Sequence, residues 1–201
     1  MRSQPNLVIV NTGCANLTSV NFAFQRLGID ALITDNPDTI RKADKVLLPG
    51  VGTAKAAMME LKQRELIEVI GALTQPVLGI CLGMQLLTSF SQETSGVTLL
   101  NKIKADTLLM EPNGLPVPHC GWNQVIPVED HPLFFGISQE AYFYFVHSYA
   151  VPIGGYTLAK TLYGNQFSAA IMQNNFIGVQ FHPERSGKVG SQLLKNFVER
   201  V

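Results

Sequence analysis

Short apolar runs alternate with amphipathic stretches in the N-terminal half of the chain. Four runs have the length and composition of buried strands: Leu7–Val10, Ala31–Thr34, Lys45–Leu48 and Pro76–Ile80. Apolar side chains at helical spacing predict helices at four places: through Leu17, Val20, Phe24 and Leu27, through Met58 and Leu61, from Leu66 to Leu73, and from Met84 to Phe90. Gly28 follows the first stripe at the position favoured for a left-handed C′ residue. This alternation predicts an α/β fold with a doubly wound, mostly parallel sheet and flanking helices.

The second half of the chain has a different pattern, with short β-rich runs separated by proline and glycine. Five of these runs are predicted strands: Trp122–Val128, Tyr142–Val151, Thr157–Leu162, Phe167–Met172 and Phe176–Phe181. They predict additional, largely antiparallel strands that extend the parallel core or pack beside it. A last helix is predicted from about Lys188 to Val201. Because the sequence contains no repeat, low-complexity segment or linker, we expect residues 1–201 to form a single domain.

Composition and charge exclude several classes of function. Of the 201 residues, 46% are hydrophobic, which is enough for a full core, and only 15% are charged, with a formal net charge of zero. There is no basic stripe for nucleic acid or a membrane surface, and the apolar run after Met1–Pro5 is too short for a signal peptide or a membrane span. Three scattered cysteines (Cys14, Cys81 and Cys120) favour a reducing compartment over a disulfide framework, so we expect a cytoplasmic protein. The histidines show no metal-ligand spacing with these cysteines, and no metal or cofactor is expected.

Cys81 lies where the fourth predicted strand turns into a helix. Gly79 and Gly83 flank it two positions away on either side, as in the G-x-nucleophile-x-G elbow, with sulfur in place of the serine oxygen. A thiol there lies at the positive end of the helix dipole, which favours the thiolate. The N–H of Leu82, in the first helical turn, would donate to an oxyanion. The alternative is a buried cysteine in a glycine-bounded turn.

Two further motifs supply partners for such a nucleophile. His182 follows an apolar run, and Glu184 lies two residues later, so His182 would reach the sulfur if its strand neighbours the elbow strand, while Glu184 would hold the far ring nitrogen. The segment Pro49–Gly52 ends the third predicted strand, and its glycines would let the peptide turn an N–H inward as a second oxyanion donor. Taken alone, a histidine at a strand end is more often a solvated or capping residue, and Pro49–Gly52 is typical of an ordinary strand-to-helix turn.

Together, these motifs resemble those of the triad (class I) glutamine amidotransferases, and the resemblance covers essentially the whole chain. It implies hydrolysis of the side-chain amide of L-glutamine through a cysteinyl thioester, with release of ammonia. It also implies that Cys81 is the nucleophile, His182 the general acid and base, and Glu184 the orienting carboxylate.

The same resemblance implies contacts with the substrate. Gln85, one helical turn past Cys81, would face the bound glutamine. Ser148 and Tyr149 would help to hold its α-amino and carboxylate groups. Four residues are implied around the oxyanion: Gly50, Val51, Gly52 and Leu82.

Further stretches resemble one branch of this family, the glutaminase subunits of imidazole glycerol phosphate synthase. They are Pro118–Asn123, Tyr142–Tyr149 and Pro183–Gly187. In that branch the acceptor chemistry belongs to a separate (β/α)8-barrel cyclase. The cyclase uses the ammonia to make imidazole glycerol phosphate and an aminoimidazole carboxamide ribotide in histidine biosynthesis. The resemblance therefore implies a heterodimer with such a cyclase.

Five residues are implied at or near the cyclase interface: Asn16, Trp122, Asn123, Tyr144 and Arg185. Alternation along a strand puts Tyr142 and Tyr144 on one face and Phe143 and Phe145 on the other. We expect the tyrosines to face the partner, because tyrosine is enriched at interfaces. Core packing is the alternative for all of these aromatic side chains. His147, an extra histidine near the site, is expected to be structural rather than catalytic.

Three other functions are compatible with parts of the sequence. A glutaminase subunit of another synthase, such as pyridoxal phosphate synthase, is disfavoured by the His-Cys-Gly-Trp-Asn and Tyr-Phe-Val-His-Ser-Tyr stretches. A non-catalytic scaffold of the same fold is disfavoured by the intact Cys-His-Glu set. A cysteine hydrolase or chaperone on the same elbow topology is disfavoured by Gln85 and the His-Pro-Glu order.

Overall fold

The computed structural model describes residues 5–13, 15–111 and 113–201, so the expectations for Cys14 and for residues 1–4 lie outside the described residues. The helices are α1 (Leu17–Arg26), α2 (Pro37–Arg41), α3 (Ala54–Gln63), α4 (Leu66–Gly71), α5 (Leu82–Leu86) and α6 (Gly187–Glu199). The strands are β1 (Leu7–Val10), β2 (Ala31–Thr34), β3 (Lys45–Gly50), β4 (Val77–Cys81), β5 (Phe90–Ser91), β6 (Val97–Thr98), β7 (Asp106–Leu109), β8 (His119–Gln124), β9 (Ile126–Pro127), β10 (Tyr142–His147), β11 (Tyr149–Ala150), β12 (Thr157–Tyr163), β13 (Asn165–Gln173) and β14 (Phe176–Val179). Within the described ranges, no helix combines the length and apolar character needed to cross a membrane.

A central eight-stranded sheet has the order β2-β1-β3-β4-β14-β13-β12-β9. Strands β2 to β14 in this order pair in parallel, and the last three strands pair antiparallel. Two smaller sheets lie beside it, a β8–β10 pair and the four-stranded β11-β7-β5-β6. The predicted fold class, a mostly parallel α/β sheet with added antiparallel strands, is confirmed.

The apolar residues form a separate core on each face of the central sheet. Alternation along β1 sends Leu7 and Ile9 to one face and Val8 and Val10 to the other. Helices α1 and α6 cover the first face, and α2, α3, α4 and α5 cover the second. Gly28 has a φ of +71° just past α1, as the sequence predicts for a C′ residue.

The helix after Cys81 is shorter than the apolar spacing predicts. Helix α5 ends at Leu86, and Phe90 lies in β5 instead of on the same helix. The Thr88 hydroxyl donates to the Gln85 carbonyl at 2.7 Å, and the Ser89 N–H donates to Ala105 O, so the backbone leaves the helix for strand pairing. Local spacing does not reveal this pairing, because the partner strand comes from later in the chain.

Candidate active site

The strand-to-helix turn predicted at Cys81 is present. Strand β4 is buried along its whole length and ends at Cys81, which has φ 54° and ψ −110°, and α5 begins at Leu82. A positive φ is uncommon for a residue with a Cβ and stores backbone strain. The turn therefore holds the thiol in a fixed position between a buried strand and a helix N-terminus.

Glycines around the elbow are required by close packing. A Cβ at Gly83 would lie 1.8 Å from the Leu48 carbonyl oxygen, and a Cβ at Gly79 would lie 2.5 Å from the Gly83 oxygen. Gly50 lies opposite Cys81 in the β3–β4 ladder, and a Cβ there would lie 2.9 Å from Gly83 N. Gly50 therefore packs against the elbow and does not line the pocket, unlike its sequence neighbours Val51 and Gly52.

His182 reaches the elbow because β14 pairs in parallel with β4, which places Val179 opposite Ile80. The His182 N–H donates to Tyr144 O at 2.9 Å and ties this segment to β10. The His182 Nδ1 donates to Glu184 Oε1 at 2.8 Å, and both side chains are buried. This bond leaves Nε2 as the ring nitrogen available for chemistry in the pocket.

The neighbours of His182 favour its charged form. Burial lowers the pKa of His182, but the neighbouring Cys81 and Glu184 raise it by a larger amount, so the net shift is upward to about 10. At neutral pH the imidazolium form is therefore favoured when the sulfur is a thiolate.

A pocket of about 400 Å³ opens over the elbow. It is lined by Val51, Gly52, Cys81, Leu82, Gln85, Glu93, Pro118, Val146, His147, Ser148, Tyr149, His182 and Arg185. The structure thus brings together Cys81, His182 and every residue expected around the oxyanion and substrate except Gly50, while Glu184 lies behind His182.

Gln85 lines the pocket, but its amide nitrogen is held by the protein. Its Nε2 donates to Tyr149 O and to Gln180 Oε1, both at 3.1 Å. The fully buried Gln180 in turn donates from Nε2 to the Cys81 sulfur at 3.8 Å. Gln180 was not predicted from the sequence, although a single polar residue at the end of an apolar run was the available signal.

Two charged side chains of opposite sign also line the pocket. Glu93 accepts a hydrogen bond from the N–H of Ala54 at the start of α3, which orients its carboxylate. Arg185 is exposed at the pocket edge, where its guanidinium lies 5.3 Å from the centre of the Tyr144 ring. From the sequence, Arg185 was predicted only at the partner interface. Glu93 was not predicted, because no local pattern distinguishes it.

The residues expected at a partner interface differ in their surroundings. Phe143 and Phe145 are fully buried, whereas Tyr142 is 54% exposed and Trp122 is 55% exposed, so the predicted alternation along β10 is confirmed. Trp122 packs edge-to-face against Tyr144, with 6.2 Å between the ring centres. This arrangement leaves an aromatic surface beside Arg185.

Asn16 and Asn123 make contacts within the protein. The exposed Asn16 accepts from Ser19 N at 3.2 Å and caps α1. Asn123 is half-buried, and its amide nitrogen donates to Leu162 O at 2.9 Å and approaches His119 Nε2 at 3.3 Å. The amide of Asn123 is thus directed inward.

Known proteins resemble this chain over nearly its whole length. Residues 8–201 match the model of the class-I glutamine amidotransferase family. The chain is 59% identical to the imidazole glycerol phosphate synthase subunit HisH of Photorhabdus laumondii, over 96% of this chain and 98% of that protein. It is 57% identical to the subunit of the same name from Salmonella typhimurium, over 96% of this chain and 99% of that protein.

A solved structure of a glutamine amidotransferase superposes on this one with a TM-score of 0.74. The identity is 16%, and the match covers 96% of this chain and 97% of the other, so it shows a shared fold alone. By the family model and the two relatives, the chain belongs to the class-I glutamine amidotransferase family, in the branch of imidazole glycerol phosphate synthase HisH subunits.

Proposed function

We propose that this chain hydrolyses L-glutamine to glutamate and ammonia through a cysteinyl thioester and supplies the ammonia to a cyclase subunit in histidine biosynthesis. The observation that carries the proposal is that the elbow thiol of Cys81 shares a pocket with His182, which is held by the buried Glu184. A nucleophile, a base and an orienting carboxylate are the groups that acyl transfer from an amide requires. We further infer that residues 1–201 act as one cytoplasmic domain without a cofactor.

In the first half-reaction, the Cys81 sulfur attacks the side-chain amide carbon of glutamine, and negative charge develops on the amide oxygen. We assign its stabilisation to the N–H of Leu82 and to the Val51–Gly52 peptide. The His182 imidazolium gives its proton to the leaving nitrogen, ammonia departs and a thioester forms. The raised pKa of His182 supports this assignment, because the ring stays charged until the proton is needed.

In the second half-reaction, water attacks the thioester carbon. The now neutral His182 takes the proton from the water, glutamate leaves, and the sulfur and imidazolium return to their starting state. Glu184 accepts from Nδ1 in both half-reactions, so it fixes the tautomer of the neutral ring and stabilises the charged one.

The charges in the pocket match the zwitterionic end of the substrate. We assign the α-ammonium group to Glu93 and to the side-chain oxygen of Gln85. The amide nitrogen of Gln85 already donates its hydrogens within the protein, so the oxygen is the atom left to accept from the substrate. We assign the α-carboxylate to Arg185 and to the main chain of Ser148 and Tyr149. One anionic and one cationic side chain at a single pocket favour an α-amino acid over a simple amide.

The ammonia acceptor is proposed to be a (β/α)8-barrel cyclase that docks over the aromatic surface of Trp122, Tyr144 and Arg185. Aromatic and arginine side chains dominate the energetics of protein interfaces. Arg185 both lines the pocket and contacts Tyr144, so this surface adjoins the place where ammonia is released. The glutaminase of pyridoxal phosphate synthase is not favoured, since the relatives at 57% and 59% identity are subunits of imidazole glycerol phosphate synthase.

The test is glutamate release from glutamine by the purified chain, alone and with the cyclase plus its ribotide ligand. Little release alone and a large increase in the complex are expected. Strong release that the cyclase does not change would point to a different acceptor. No release under either condition would contradict the glutaminase proposal.

A further inference from the structure

Two buried histidines outside the proposed triad lie directly beside the pocket. His147 lines the pocket, and His119 lies behind it on the neighbouring strand β8. Both are almost fully buried, at 6% and 2% exposure. The His119 Nδ1 and the His147 Nε2 are 3.0 Å apart, and the His147 Nδ1 is 2.8 Å from Tyr149 O.

The carbonyl at one end of this chain of contacts fixes the direction of every hydrogen bond. Because Tyr149 O only accepts, His147 Nδ1 must carry the proton and donate. In a neutral ring Nε2 is then an acceptor, so His119 must donate to it from Nδ1. The remaining nitrogen, His119 Nε2, accepts from Asn123 Nδ2 at 3.3 Å.

A neutral pair satisfies all four ring nitrogens, whereas protonation of His147 would place two N–H groups against each other at the 3.0 Å contact. The His119 ring stacks between Tyr163 and Phe145, at 4.1 Å and 4.8 Å between centres, and these rings shield it from water. Burial lowers the pKa of His119 to about 4 and that of His147 to about 3.

His147 connects the histidine pair to residues that line the pocket. Tyr149 O accepts from both His147 and Gln85, and Gln85 in turn contacts Gln180, which donates to the Cys81 sulfur. We propose that His147, held by His119 and Asn123, is a positioning residue that fixes the Tyr149 carbonyl and the Gln85 amide for glutamine binding. This inference rests on the proposed glutaminase function.

The test compares two replacements of His147, each of which keeps one of its two hydrogen bonds and loses the other. Asparagine places an amide nitrogen where Nδ1 lies, so His147→Asn retains the donor to Tyr149 O. Glutamine places its amide where Nε2 lies, so His147→Gln retains the acceptor for His119 but loses that donor. Both variants lose the aromatic ring, so the loss of its packing is common to the two. His131→Asn is a matched control, because His131 accepts from Leu133 N at a cap and does not line the pocket.

Glutamine affinity is measured by calorimetry in a Cys81→Ala background, which cannot turn the substrate over. We expect His147→Gln to weaken binding roughly two- to tenfold, as for loss of one hydrogen bond, with His147→Asn and His131→Asn close to the parent. Equal weakening in the two His147 variants, or none in either, overturns the proposal. Glutamate release by the otherwise unmodified chain tests the proposed function separately.

A second measurement does not depend on substrate. Long-range ¹H–¹⁵N spectra of the histidine rings at about pH 7.5, well above both lowered pKa values, should show His119 and His147 neutral, each protonated at Nδ1. A proton on Nε2 of His147, or a charged ring at either position, overturns the proposal.

Discussion

The side-chain amide of Gln180 donates to the sulfur of Cys81, while the Val146 carbonyl lies 3.9 Å from the same sulfur. One neighbour therefore donates to the sulfur and the other accepts from a thiol. The hydrogen bond from Gln180 stabilises a thiolate more than a thiol, because a hydrogen bond to a charged group is stronger than one between neutral groups. Gln180 is positioned for this role by Gln85, which donates to its oxygen.

Replacing Gln180 by leucine should slow acylation. The change removes the donor to the sulfur and the acceptor for Gln85 while keeping a similar volume. A lost hydrogen bond to a charged group corresponds to roughly a tenfold to hundredfold fall in kcat/KM. The rate of Cys81 alkylation by iodoacetamide should fall in parallel. Equal alkylation rates in the variant and the parent from about pH 6 to 9, the range over which a thiol ionises, would contradict the thiolate contact.

Replacing Cys81 should separate catalysis from folding. Cys81→Ala and Cys81→Gly should both abolish glutamate release, because neither residue has a nucleophilic side chain to form the thioester. At φ 54° glycine avoids the strain of a Cβ, so Cys81→Gly should exceed Cys81→Ala in free energy of unfolding by about 1 kcal/mol. Urea unfolding measures the difference, and an alanine variant at least as stable would mean that the elbow is unstrained.

Glu184→Gln should lower the glutaminase rate by about 10⁴-fold, as when the carboxylate of a related triad becomes an amide. It should also change the pH dependence of stability. The raised pKa of His182 means that its contribution is fully present below pH 6.5 and is lost as pH rises towards 10. The difference in unfolding free energy between parent and variant should therefore be largest at about pH 6 and shrink as the pH rises to about 10. A constant difference from about pH 6 to 10 would show that Glu184 does not contribute to the raised pKa of His182.

Acid should destabilise the chain through His119 and His147. Their pKa values are lowered in the folded state, so the unfolded chain binds more protons below pH 6.5, and stability falls as pH drops towards 4. The double variant His119→Asn with His147→Asn should show a shallower fall in the free energy of unfolding between about pH 6.5 and 4. Parallel pH curves for parent and variant would show that the two rings are not responsible.

Trp122→Ala should weaken binding to the cyclase and leave the glutaminase activity of the isolated chain unchanged. An interface hot spot is worth about 2 kcal/mol or more, or roughly a thirtyfold rise in Kd. Phe135→Ala is the matched control, since Phe135 is exposed to a similar extent, at 56%, but lies outside the proposed surface. Equal effects of the two variants on the Kd for the cyclase, measured by calorimetry, would show that the interface is not centred on Trp122.

Much of the fold follows from local patterns. Strands β1 and β2 begin and end where the apolar runs do, and the spacing of the glycines around Cys81 is enough to locate the elbow. Such signals are visible in sequence because a buried strand, a helix face and a tight turn each impose constraints on adjacent residues. The family resemblance drawn from these motifs is confirmed by the family model and the relatives.

The sequence by itself determined the α/β class, the elbow and the family, and it named most of the residues that line the pocket. Only the tertiary structure decided that β14 lies beside β4, that Gln180 meets the sulfur, that Glu93 enters the pocket and that His119 bonds to His147. The physical reason is that each of these contacts joins segments far apart in the chain. Spacing along a sequence fixes which face a side chain occupies, whereas the pairing of distant strands fixes which side chains meet.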